Sequence, residues 1–421
     1  MPDDKLPKVL IVAPNASAQF GGEAYLPLIY FRLLTKRGHP VRLIAHQRNS
    51  EELLALPDCD PTQMQFVPDT RWHRLIWRFF SHFPGRVRDL IGGSAMTWLN
   101  ELYQTRIIKQ LVAGGEVDVI HQPIPVSPLI PSNLHRFGVP LVIGPMNGGM
   151  DYPDGYRDYE GLGTRALIVV GRRLALVLNR LNPGKHRAAV LLVANERTRQ
   201  ALPDPHNPRV EALIENGIDF TRWQAPAANR AYLEPGRLRL AFLGRFVAWK
   251  GIDFTLRAVA LARAMGANVS LDLVGDGEER DALRALTHEL GIADHVTFHG
   301  FQPQEYCAGV LADSDALVLN SLYECGGAVV LEAMAMGLPV VASAWGGPLD
   351  YLDDESGILV DPVPRESFDQ RLANAFLTLA YDPGLRKQMG DAGQRVARQE
   401  FDWEAKIDRI VEIYREVTAR S

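Results

Sequence analysis

The sequence predicts an α/β protein with two doubly wound parallel sheets, and three observations carry this prediction. A chain of 421 residues exceeds what one hydrophobic core usually supports, so two domains are expected. Short apolar runs of the kind buried on both faces of a parallel sheet alternate with helical segments along the chain. Gly-rich turns follow several of these runs, as at the carboxyl edge of a doubly wound sheet, where ligands bind.

Composition and charge are those of an ordinary globular protein. Apolar residues make up 47% and charged residues 23% of the sequence. The apolar fraction is enough to build two hydrophobic cores. The net charge of −5 does not favour nucleic acid, so no nucleic-acid partner is expected. Cys59, Cys307 and Cys325 are widely spaced and form no Cys-x-x-Cys pattern. This usage predicts a reduced, cytoplasmic protein without disulfides or a structural zinc site.

No targeting or membrane-spanning segment is predicted. The chain begins with acidic residues and runs directly into a strand, unlike a secretory signal peptide. The nearest candidate for a spanning segment, Ala166 to Leu178, is interrupted by Arg172 and Arg173. We therefore expect a chain that stays on the cytoplasmic side of the bilayer.

The N-terminal half opens with a strand, a Gly-rich turn, a helix and a second strand. The strand Lys8 to Ala13 leads through Gly21 and Gly22 to a helix from about Glu23 to Lys36. A second strand follows at Val41 to Ala45. Adjacent glycines at the carboxyl end of a strand let the backbone approach a ligand closely. A tight turn with no ligand is an equally open interpretation.

A histidine ends a later strand of the same predicted sheet. The strand Asp118 to His121 precedes a strand at Val139 to Ile143, which leads into the Gly-rich loop Gly144 to Met150. A histidine at a carboxyl strand end points into the ligand crevice of an α/β sheet. A surface histidine held by the loop is the alternative. Asn147 in the Gly-rich loop would bond a ligand hydroxyl or hold the turn.

Two basic segments lie in the N-terminal half of an otherwise acidic chain. The first, Arg71 to Gly93, places apolar and aromatic residues at helical spacing among arginines, and the second, Arg165 to Arg187, contains no acidic residue. Such segments suit an interfacial membrane helix or a site for an anionic acceptor. Helices packed on the sheet with a solvated basic face are the alternative. The arginines of the first segment are Arg71, Arg74, Arg78, Arg86 and Arg88.

The C-terminal half repeats the alternation of strands and helices. We place the domain boundary near the Ala- and Pro-rich stretch Ala225 to Pro235, after which a strand begins at Leu238. Further strands and helices complete a second parallel sheet. The predicted strands are Val269 to Val274, His295 to His299, Ala316 to Leu319, Leu338 to Ser343 and Gly357 to Val360, and the predicted helices include Phe368 to Ala380, Leu385 to Glu400 and Trp403 to Arg420.

Two cations flank the first loop of the C-terminal half. The strand that begins at Leu238 ends at Gly244 and Arg245, and Lys250 precedes a helix from about Gly251 to Met265. Both cations and the positive end of the helix dipole would converge on one phosphate group. A solvated turn is the alternative interpretation.

The segment Ser321 to Ser343 combines the strongest signals for a ligand site. Glu324 precedes Gly326 and Gly327, a helical run follows, and Glu332 lies on that run. The glycines permit close backbone approach, and the unpaired N–H groups of a helix start suit an anion. The pattern therefore predicts that a negatively charged ligand docks here.

No metal site is expected. Two Asp-x-Asp pairs have the form that holds divalent ions on nucleotides, but one lies in a Pro-rich loop and the other directly precedes a strand. His295 and His299 would share one face of a strand but stand too far apart to chelate one ion. The Asp-x-Asp residues are Asp58, Asp60, Asp313 and Asp315.

Together these residues resemble the retaining glycosyltransferases of glycosyltransferase family 4, which have the GT-B fold. The resemblance covers nearly the whole chain and rests above all on Glu324-x7-Glu332 within ECGGAVVLEAMAMGLPVVAS, with the Arg245 and Lys250 pair. It implies two Rossmann-like domains facing a central cleft. An acceptor-side domain would span residues 1–215, a donor-binding domain residues 216–402, and a helix over residues 403–421 would cross back. The weaker supporting motifs are Gly21-Gly22, His121, Asn216-Gly217-Ile218-Asp219 and VGDGEER at residues 274–280.

The resemblance also implies roles for the residues of the donor site. Glu332 would hold the ribose hydroxyls of a nucleotide sugar, and Glu324 would face the hydroxyls of the donor sugar. Backbone N–H groups and two cations would neutralise the departing diphosphate. The N–H groups belong to Gly326, Gly327 and Ala328, and the cations are Arg245 and Lys250. Gly275, Gly277 and Phe301 would line the base pocket.

His121 would lie beside the donor sugar, and Gly21 and Gly22 near the phosphates or the acceptor. The implied catalytic set is His121 with Glu324, Arg245 and Lys250. Cys325 is a departure, because many members of the family have glycine directly after the first glutamate. The amide-bearing turn is retained, while the side chain beside the sugar differs.

The implied reaction moves a sugar from a UDP- or GDP-sugar to a glycan or lipid-linked acceptor with retention at the anomeric carbon. Front-face transfer without a metal or other cofactor is expected, and the basic segments would add peripheral contact with an anionic membrane. Two alternatives stay open: a GT-B-fold nucleotide-sugar 2-epimerase and a non-catalytic nucleotide-sugar-binding protein.

Overall fold

The computed structural model describes residues 6–19, 21–83, 92–159, 162–225 and 234–420. Arg86, Arg88, the side chain of Arg165 and most of the predicted boundary segment after Ala225 lie outside the described residues. The chain divides into two compact units. Unit 1 comprises Met1–Gly149, Gly161–Glu215 and Lys406–Ser421, and unit 2 comprises Met150–Glu160 and Asn216–Ala405.

Unit 1 contains a parallel sheet. The strands described for it are β1 (Val9–Val12), β2 (Val41–His46), β3 (Met64–Val67), β4 (Val119–Gln122), β5 (Leu141–Met146), β6 (Val190–Val193) and β7 (Val210–Ala212). They are hydrogen-bonded in the order β3-β2-β1-β4-β5-β6-β7, and each neighbouring pair is parallel. β1 and β6 are buried along their whole length, which explains their uninterrupted apolar sequences.

Helices join the strands of unit 1 and cover the sheet. The helices described for unit 1 are α1 (Gly22–Lys36), α2 (Ser50–Leu54), α3 (Arg71–Phe80), α4 (Gly93–Ala113), α5 (Leu162–Leu181), α6 (Gly184–Arg187) and α7 (Glu196–Gln200). Ile108 and Leu111 of α4 belong to one buried core with Leu10 of β1 and Ile120 of β4. Burial of this apolar face is the main stabilising term of the unit.

Unit 2 contains a second parallel sheet. The strands described for it are β8 (Arg237–Leu243), β9 (Asn268–Val274), β10 (Val296–Gly300), β11 (Ala316–Leu319), β12 (Val340–Ser343) and β13 (Gly357–Val360). Their order is β10-β9-β8-β11-β12-β13, with each neighbouring pair parallel. The order reverses on either side of β8, so the loops after β8 and β11 meet at the carboxyl edge of the sheet.

The helices described for unit 2 follow the same alternation. They are α8 (Ile252–Ala264), α9 (Arg280–Glu289), α10 (Gln304–Ala312), α11 (Ala328–Ala335), α12 (Phe368–Tyr381) and α13 (Pro383–Glu400). The last helix, α14 (Trp403–Ala419), begins in unit 2 and belongs to unit 1 from Lys406 onward.

Residues 150–160 belong to unit 2, although the sequence predicts them in the first domain. The Tyr156 hydroxyl donates to the Pro362 carbonyl at 2.8 Å, and Arg365 forms an ion pair with Asp158 at 2.7 Å. Tyr156 is fully buried. These contacts join residues about 200 apart in the chain, so local sequence carries no signal for them.

The predicted α/β class with two doubly wound parallel sheets is confirmed. In unit 2 the predicted strands differ from the observed ones by a residue or two at their ends. In unit 1 the strand predicted to end at Ile143 continues to Met146, and β3, β6 and β7 were not predicted. β7 is partly exposed and carries a central glutamate, so it lacks the apolar run used to recognise a strand.

Candidate functional site

The connection between β8 and α8 presents the first candidate cation. Gly244 and Arg245 follow β8, and the Arg245 side chain is exposed, with no hydrogen bond or ion pair to any described residue. Lys250 ends a short 3-10 turn before Gly251, whose φ of 63° starts α8. The Lys250 Cε lies 4.0 Å from where a Cβ on Gly244 would stand. Lys250 thus packs over the residue that precedes Arg245.

Gly275 and Gly277 hold the next loop against this connection. A Cβ on Gly275 would lie 1.9 Å from the Gly244 carbonyl oxygen, and one on Gly277 would lie 2.2 Å from the Phe246 carbonyl oxygen. The N–H groups of Gly244 and Phe246 donate to carbonyls of the loop at 3.0 and 2.9 Å. Close backbone packing therefore requires both glycines, and it positions Arg245 between two bonded residues. Their contact with a base stays a prediction.

Lys250 forms an ion pair with Glu324, 74 residues later in the chain. Each side chain of the pair is 16% exposed, so solvent screens the interaction only weakly. Ser321 Oγ also lies 3.4 Å from the same carboxylate oxygen. The cation predicted for a phosphate and the carboxylate predicted for a sugar are therefore adjacent.

The turn before α11 presents unpartnered backbone N–H groups. The N–H groups of Gly326, Gly327 and Ala328 donate to no atom of a described residue. Gly327, the N-cap, has a φ of 92°, and a Cβ there would lie 3.2 Å from Cγ of Glu324. No side chain of a described residue caps this helix start. Free amides at the positive end of a helix form a site for an anion.

A second glycine pair, which was not predicted as part of the site, supports this turn. The Gly347 N–H donates to the Glu324 carbonyl at 2.7 Å. A Cβ on Gly347 would lie 1.9 Å from the Gly326 carbonyl oxygen, and one on Gly346 would lie 2.3 Å from that of Glu324. The signal available in the sequence was a Gly-Gly pair soon after the strand β12, at the same edge of the sheet.

Asn320 is a further residue that was not predicted. It is fully buried directly after β11. Its Nδ2 donates to the Gly251 carbonyl at 2.6 Å, and its Oδ1 accepts from Thr255 Oγ1 at 2.7 Å. These bonds tie the loop that carries Glu324 to the first turn of α8. A polar residue directly after a buried strand was the available signal.

Glu332 lies one helical turn after Ala328, on the same face of α11. Its side chain is half-buried and makes no hydrogen bond to a described residue. Burial raises the pKa of its carboxyl to about 7, against a smaller lowering effect of Arg222. A half-buried carboxyl with unused acceptor positions suits a ligand that donates two hydroxyl hydrogen bonds.

Glu332→Gln is expected to remove a pH dependence of stability between about pH 4.5 and about 7. A folded-state pKa above the unfolded value means that the folded protein holds the proton more tightly. Its contribution to stability is therefore complete below pH 4.5 and is lost as pH rises through about 7. The free energy of unfolding of the wild type should fall by about 1–2 kcal/mol more than that of the variant over this pH range. Urea unfolding across the pH range measures this.

The control for this experiment is Glu400→Gln, which removes an exposed carboxylate of unit 2. Its unfolding free energy should follow that of the wild type across the window. If the unfolding free energies of the wild type and Glu332→Gln depended on pH in the same way, burial would not perturb the pKa of Glu332.

Phe301 follows β10 and is 81% exposed. An aromatic ring of this size in solvent offers a flat apolar surface on which a planar group can stack. Its predicted contact with a nucleotide base stays a prediction.

In unit 1, His121 is enclosed. Its side chain is fully buried, Nε2 donates to the Gly144 carbonyl at 2.7 Å, and Nδ1 accepts from the Tyr414 hydroxyl at 2.6 Å. A carbonyl only accepts, so the neutral ring carries its proton on Nε2. Burial lowers the pKa of His121 to about 4. In this structure the ring joins the Gly144 loop to α14 through these two hydrogen bonds. For the ring to contact a sugar, the residues that bury it would have to move.

Asn147 also holds its own loop. It is buried, and its Nδ2 donates to Glu215 at 2.6 Å within unit 1. Of the two interpretations of Asn147 that the sequence left open, the contacts favour the one in which it fixes the turn.

Gly21 and Gly22 form an open helix start. Gly21, the N-cap of α1, has a φ of 89°, and a Cβ on either glycine would meet no atom of a described residue within 4 Å. The N–H groups of Gly22, Glu23 and Ala24 donate to no described residue. Backbone conformation therefore requires glycine at Gly21, and the free amides are open to a polar ligand.

One group of side chains in the described part of the chain has metal-ligand spacing. His46, Asp69 and His73 each place one potential ligand atom within 4.8 Å of the others. In both histidines Nδ1 accepts from a backbone N–H, that of Arg48 or Thr70, at 3.2 Å. A neutral imidazole that accepts at Nδ1 keeps its proton on Nε2, which then has no lone pair for a metal. We assign no ion to this group.

Residues 228–396 match the family model for glycosyl transferases group 1. One curated relative is the lipopolysaccharide core biosynthesis glycosyltransferase LpsD of Rhizobium meliloti (strain 1021), 36% identical over 204 residues. Another is the alpha-D-kanosaminyltransferase of Streptomyces kanamyceticus, 31% identical over 240 residues. The matches cover 48% and 55% of this chain and 57% and 61% of the relatives. The chain therefore spans little more than half the length of these curated relatives.

Solved structures with a similar fold cover almost the whole chain. Anabaena Alr3699/HepE in complex with UDP has a TM-score of 0.68 at 18% identity, covering 97% of this chain and 100% of that chain. WaaG, a glycosyltransferase involved in lipopolysaccharide biosynthesis, has a TM-score of 0.61 at 18% identity, covering 96% and 99%. The fold is GT-B. At this level of identity the likeness shows the fold alone, and the predicted GT-B fold class is confirmed.

Proposed function

We propose that this GT-B protein is a retaining glycosyltransferase that moves a sugar from a nucleotide-sugar donor to a glycan or lipid-linked acceptor. The observation that carries the proposal is the set of free N–H groups before α11 beside the Lys250–Glu324 pair, inside the segment that matches glycosyl transferases group 1. UDP is the preferred nucleotide, with GDP second, because a similar structure was solved with UDP. The relative named for lipopolysaccharide core synthesis supports the acceptor class.

Unit 2 would bind the donor. The diphosphate would lie on the free amides of Gly326, Gly327 and Ala328, next to Lys250 and to Arg245, whose side chain has no ion pair with a described residue. Glu332, one helical turn further, would accept the two ribose hydroxyls. Glu324 would accept a hydroxyl of the donor sugar. The base would extend toward the exposed ring of Phe301 and the loop of Gly275 and Gly277.

The chemical step loads negative charge on the leaving diphosphate as the bond to the anomeric carbon breaks. Amides and cations fixed in advance stabilise that charge without reorganising, which is the largest contribution such a site can make. The acceptor hydroxyl would attack from the same face and lose its proton to the departing phosphate oxygen. No step requires a metal ion, and none requires a nucleophilic carboxylate.

Lys250 would have to serve two anions. In this structure its ammonium is bound to Glu324, and a bound diphosphate would compete for it. Donor binding would then release one Glu324 oxygen toward the sugar hydroxyls while Lys250 moves toward phosphate. The pair is thus proposed to couple recognition of the sugar to neutralisation of the leaving group.

Unit 1 would bind the acceptor, with the open amides of Gly21 and Gly22 as polar contacts. His121 would act as a positioning residue, because its two nitrogens join the Gly144 loop to Tyr414 of α14. Through His121, the helix over residues 403–421 would hold the acceptor-binding loops in place.

Nucleotide release from a panel of UDP-, GDP- and ADP-sugars tests the proposed function. A transferase releases nucleotide and, with acceptor, yields a glycoside whose anomeric configuration by NMR equals that of the donor. A 2-epimerase would change the sugar without an acceptor, and a binding protein would retain affinity with no turnover. Either of the last two outcomes overturns the proposal. Unchanged affinity for UDP in Glu332→Ala would contradict the ribose assignment.

We also propose peripheral contact of unit 1 with an anionic membrane surface on the cytoplasmic side. Large apolar side chains on α3, α4 and α5 are unusually exposed: Trp77 66%, Phe79 62%, Trp98 60%, Val170 61% and Leu181 75%. On α3 and α5 they lie among arginines, a composition that suits burial at a lipid interface. None of the helices within the described ranges is long and apolar enough to cross a bilayer.

Replacing Arg78 and Arg173 by glutamate is expected to lower co-sedimentation with anionic vesicles about tenfold or more, because each cation near such a surface contributes about 1 kcal/mol. Both side chains are exposed, so the fold should be retained. In the matched control, glutamate replaces Arg257 and Arg395, two exposed arginines of unit 2. Equal sedimentation of all three proteins, or no binding at low salt, would contradict membrane contact.

A further inference from the structure

Unit 1 contains a cavity of about 600 Å³ that the proposed reaction does not use. Its walls come from the segments that lead into three neighbouring strands: Val139 to Leu141 before and into β5, residues 186–189 before β6, and Arg209 before β7. Val417 and Arg420 at the end of α14 close it. The volume is that of a typical small-molecule site.

The cavity lies at the amino edge of the sheet. Parallel strands place their ligand site at the carboxyl edge, where His121 and the Gly144 loop lie. β5 has six residues, so the two edges are separated by about 17–20 Å. The cavity is therefore distinct from the loops proposed to bind the acceptor.

The cavity is lined by cationic and imidazole side chains without a lining carboxylate. The Arg187 side chain makes no hydrogen bond or ion pair with a described residue. Arg209 donates to the carbonyls of His186 and Ala188, at 2.7 and 3.4 Å, which fixes its guanidinium without neutralising it. Two acids lie nearby: Asp204 is 3.9 Å from His186, and Glu416 is 3.4 Å from Arg420.

The positive charge of this cavity exceeds its local compensation. Three arginines line the cavity, and the ion pairs of the lining side chains with described residues involve two carboxylates. Burial lowers the pKa of His135, and the charges of Arg136 and Arg187 lower it further. An anion that enters the cavity relieves this repulsion. The planar guanidinium of arginine can donate two parallel hydrogen bonds to phosphate oxygens, so a phosphate fits this cavity better than a single-atom anion does.

The floor of the cavity is apolar. Val139, Pro140, Leu141 and Val417 provide carbon surface beneath the arginines. We propose that this cavity binds a phosphate monoester or diphosphate carried on an apolar body, with Arg187, Arg209 and Arg420 on the phosphate. The occupant contacts α14 within about two turns of Tyr414, which bonds His121. Binding therefore stabilises the packing of α14 against the rest of unit 1.

Arginine modification mapped by mass spectrometry tests this site on the unaltered protein. Phenylglyoxal adducts are followed at Arg187 and Arg420, with Arg106, an exposed arginine of α4 outside the cavity, as the internal control. The probes are inorganic pyrophosphate, phosphatidylcholine vesicles that contain phosphatidic acid, and vesicles of equal charge that contain phosphatidylglycerol. At about ten times its Kd, a bound probe should slow both adducts about tenfold and leave the adduct at Arg106 unchanged.

Protection by pyrophosphate identifies a soluble phosphate ligand, and protection by phosphatidic acid vesicles alone identifies a lipid headgroup. Equal protection by phosphatidylglycerol would show diffuse charge attraction and overturn the proposal, as would unchanged adducts with all three probes. Arg187→Gln should weaken protection at Arg420, whereas Lys109→Gln, an exposed charge of the same unit, should not. Adducts at Arg245 report the proposed donor site separately, so failure of either proposal is distinguishable.

Discussion

Replacement of Lys250 by alanine is expected to lower nucleotide-sugar turnover about 10²- to 10³-fold while the protein remains folded. Lys250 is the largely buried cation next to the free amides of α11, and it is paired with Glu324. Without it, the charge of the leaving diphosphate loses a fixed partner, and the uncompensated Glu324 carboxylate repels the phosphates. The measurement is the initial rate of nucleotide release with the UDP-sugar that the wild type uses, together with the Kd for UDP.

Two further variants separate charge from shape. Lys250→Arg keeps the charge with a different reach, so a smaller loss is expected. Lys109→Ala removes an exposed lysine of unit 1 and should leave the rate unchanged. Thermal unfolding of each variant verifies that the fold is retained. Turnover at the wild-type level in folded Lys250→Ala would contradict the assigned role.

Gly347→Ala is expected to destabilise unit 2 by about 2–4 kcal/mol and to weaken UDP binding at least about tenfold. The added Cβ would lie 1.9 Å from the Gly326 carbonyl oxygen and 2.7 Å from that of Cys325. Both obstacles are backbone atoms, so the turn itself must move, and with it the amides proposed to bind the diphosphate. Urea unfolding and calorimetric titration with UDP measure the two effects.

The matched control is Gly309→Ala, a glycine in the interior of α10 whose Cβ would meet no atom within 4 Å. Alanine favours a helix over glycine, so this variant should be at least as stable as the wild type. Unchanged UDP affinity in a destabilised Gly347→Ala protein would mean that the turn does not bind the phosphates.

Much of the site in unit 2 could be predicted because its signals are local. Gly326 and Gly327 directly before a helical run indicate free amides, and Glu332 follows at helical spacing on the same face. The pairing of Lys250 with Glu324 could not be predicted, since 74 residues separate them. The strand order around β8 brings the two loops together, and no local pattern encodes that order.

The glycines illustrate the same limit. Gly275 and Gly277 were predicted to line a base pocket, which stays a prediction, and the structure shows that both also pack against the backbone of residues 244–246. Gly346 and Gly347 received no role, although they support the turn that carries Glu324. A glycine in a sequence indicates close approach of a ligand or of another backbone segment, and only the structure shows which of the two it is.

The membrane interpretation depended on burial, and the metal interpretation depended on contacts between distant residues; the sequence reports neither property. Apolar spacing on α3 is compatible with packing on the sheet, yet Trp77 and Phe79 are mostly exposed. His46 and His73 lie 27 residues apart and contact only because β2 and the start of α3 meet at one edge. Neither property follows from the spacing of residues.

The sequence by itself determined the α/β class and the two parallel sheets, and it predicted an anion site at the turn before α11, because apolar runs, helical spacing and glycine pairs are local properties. Only the tertiary structure decided that His121 is enclosed between Gly144 and Tyr414, that Lys250 is bound to Glu324, and that arginines gather at the amino edge of unit 1. These contacts join distant segments, and strand order and helix packing set them rather than the residues adjacent in the chain.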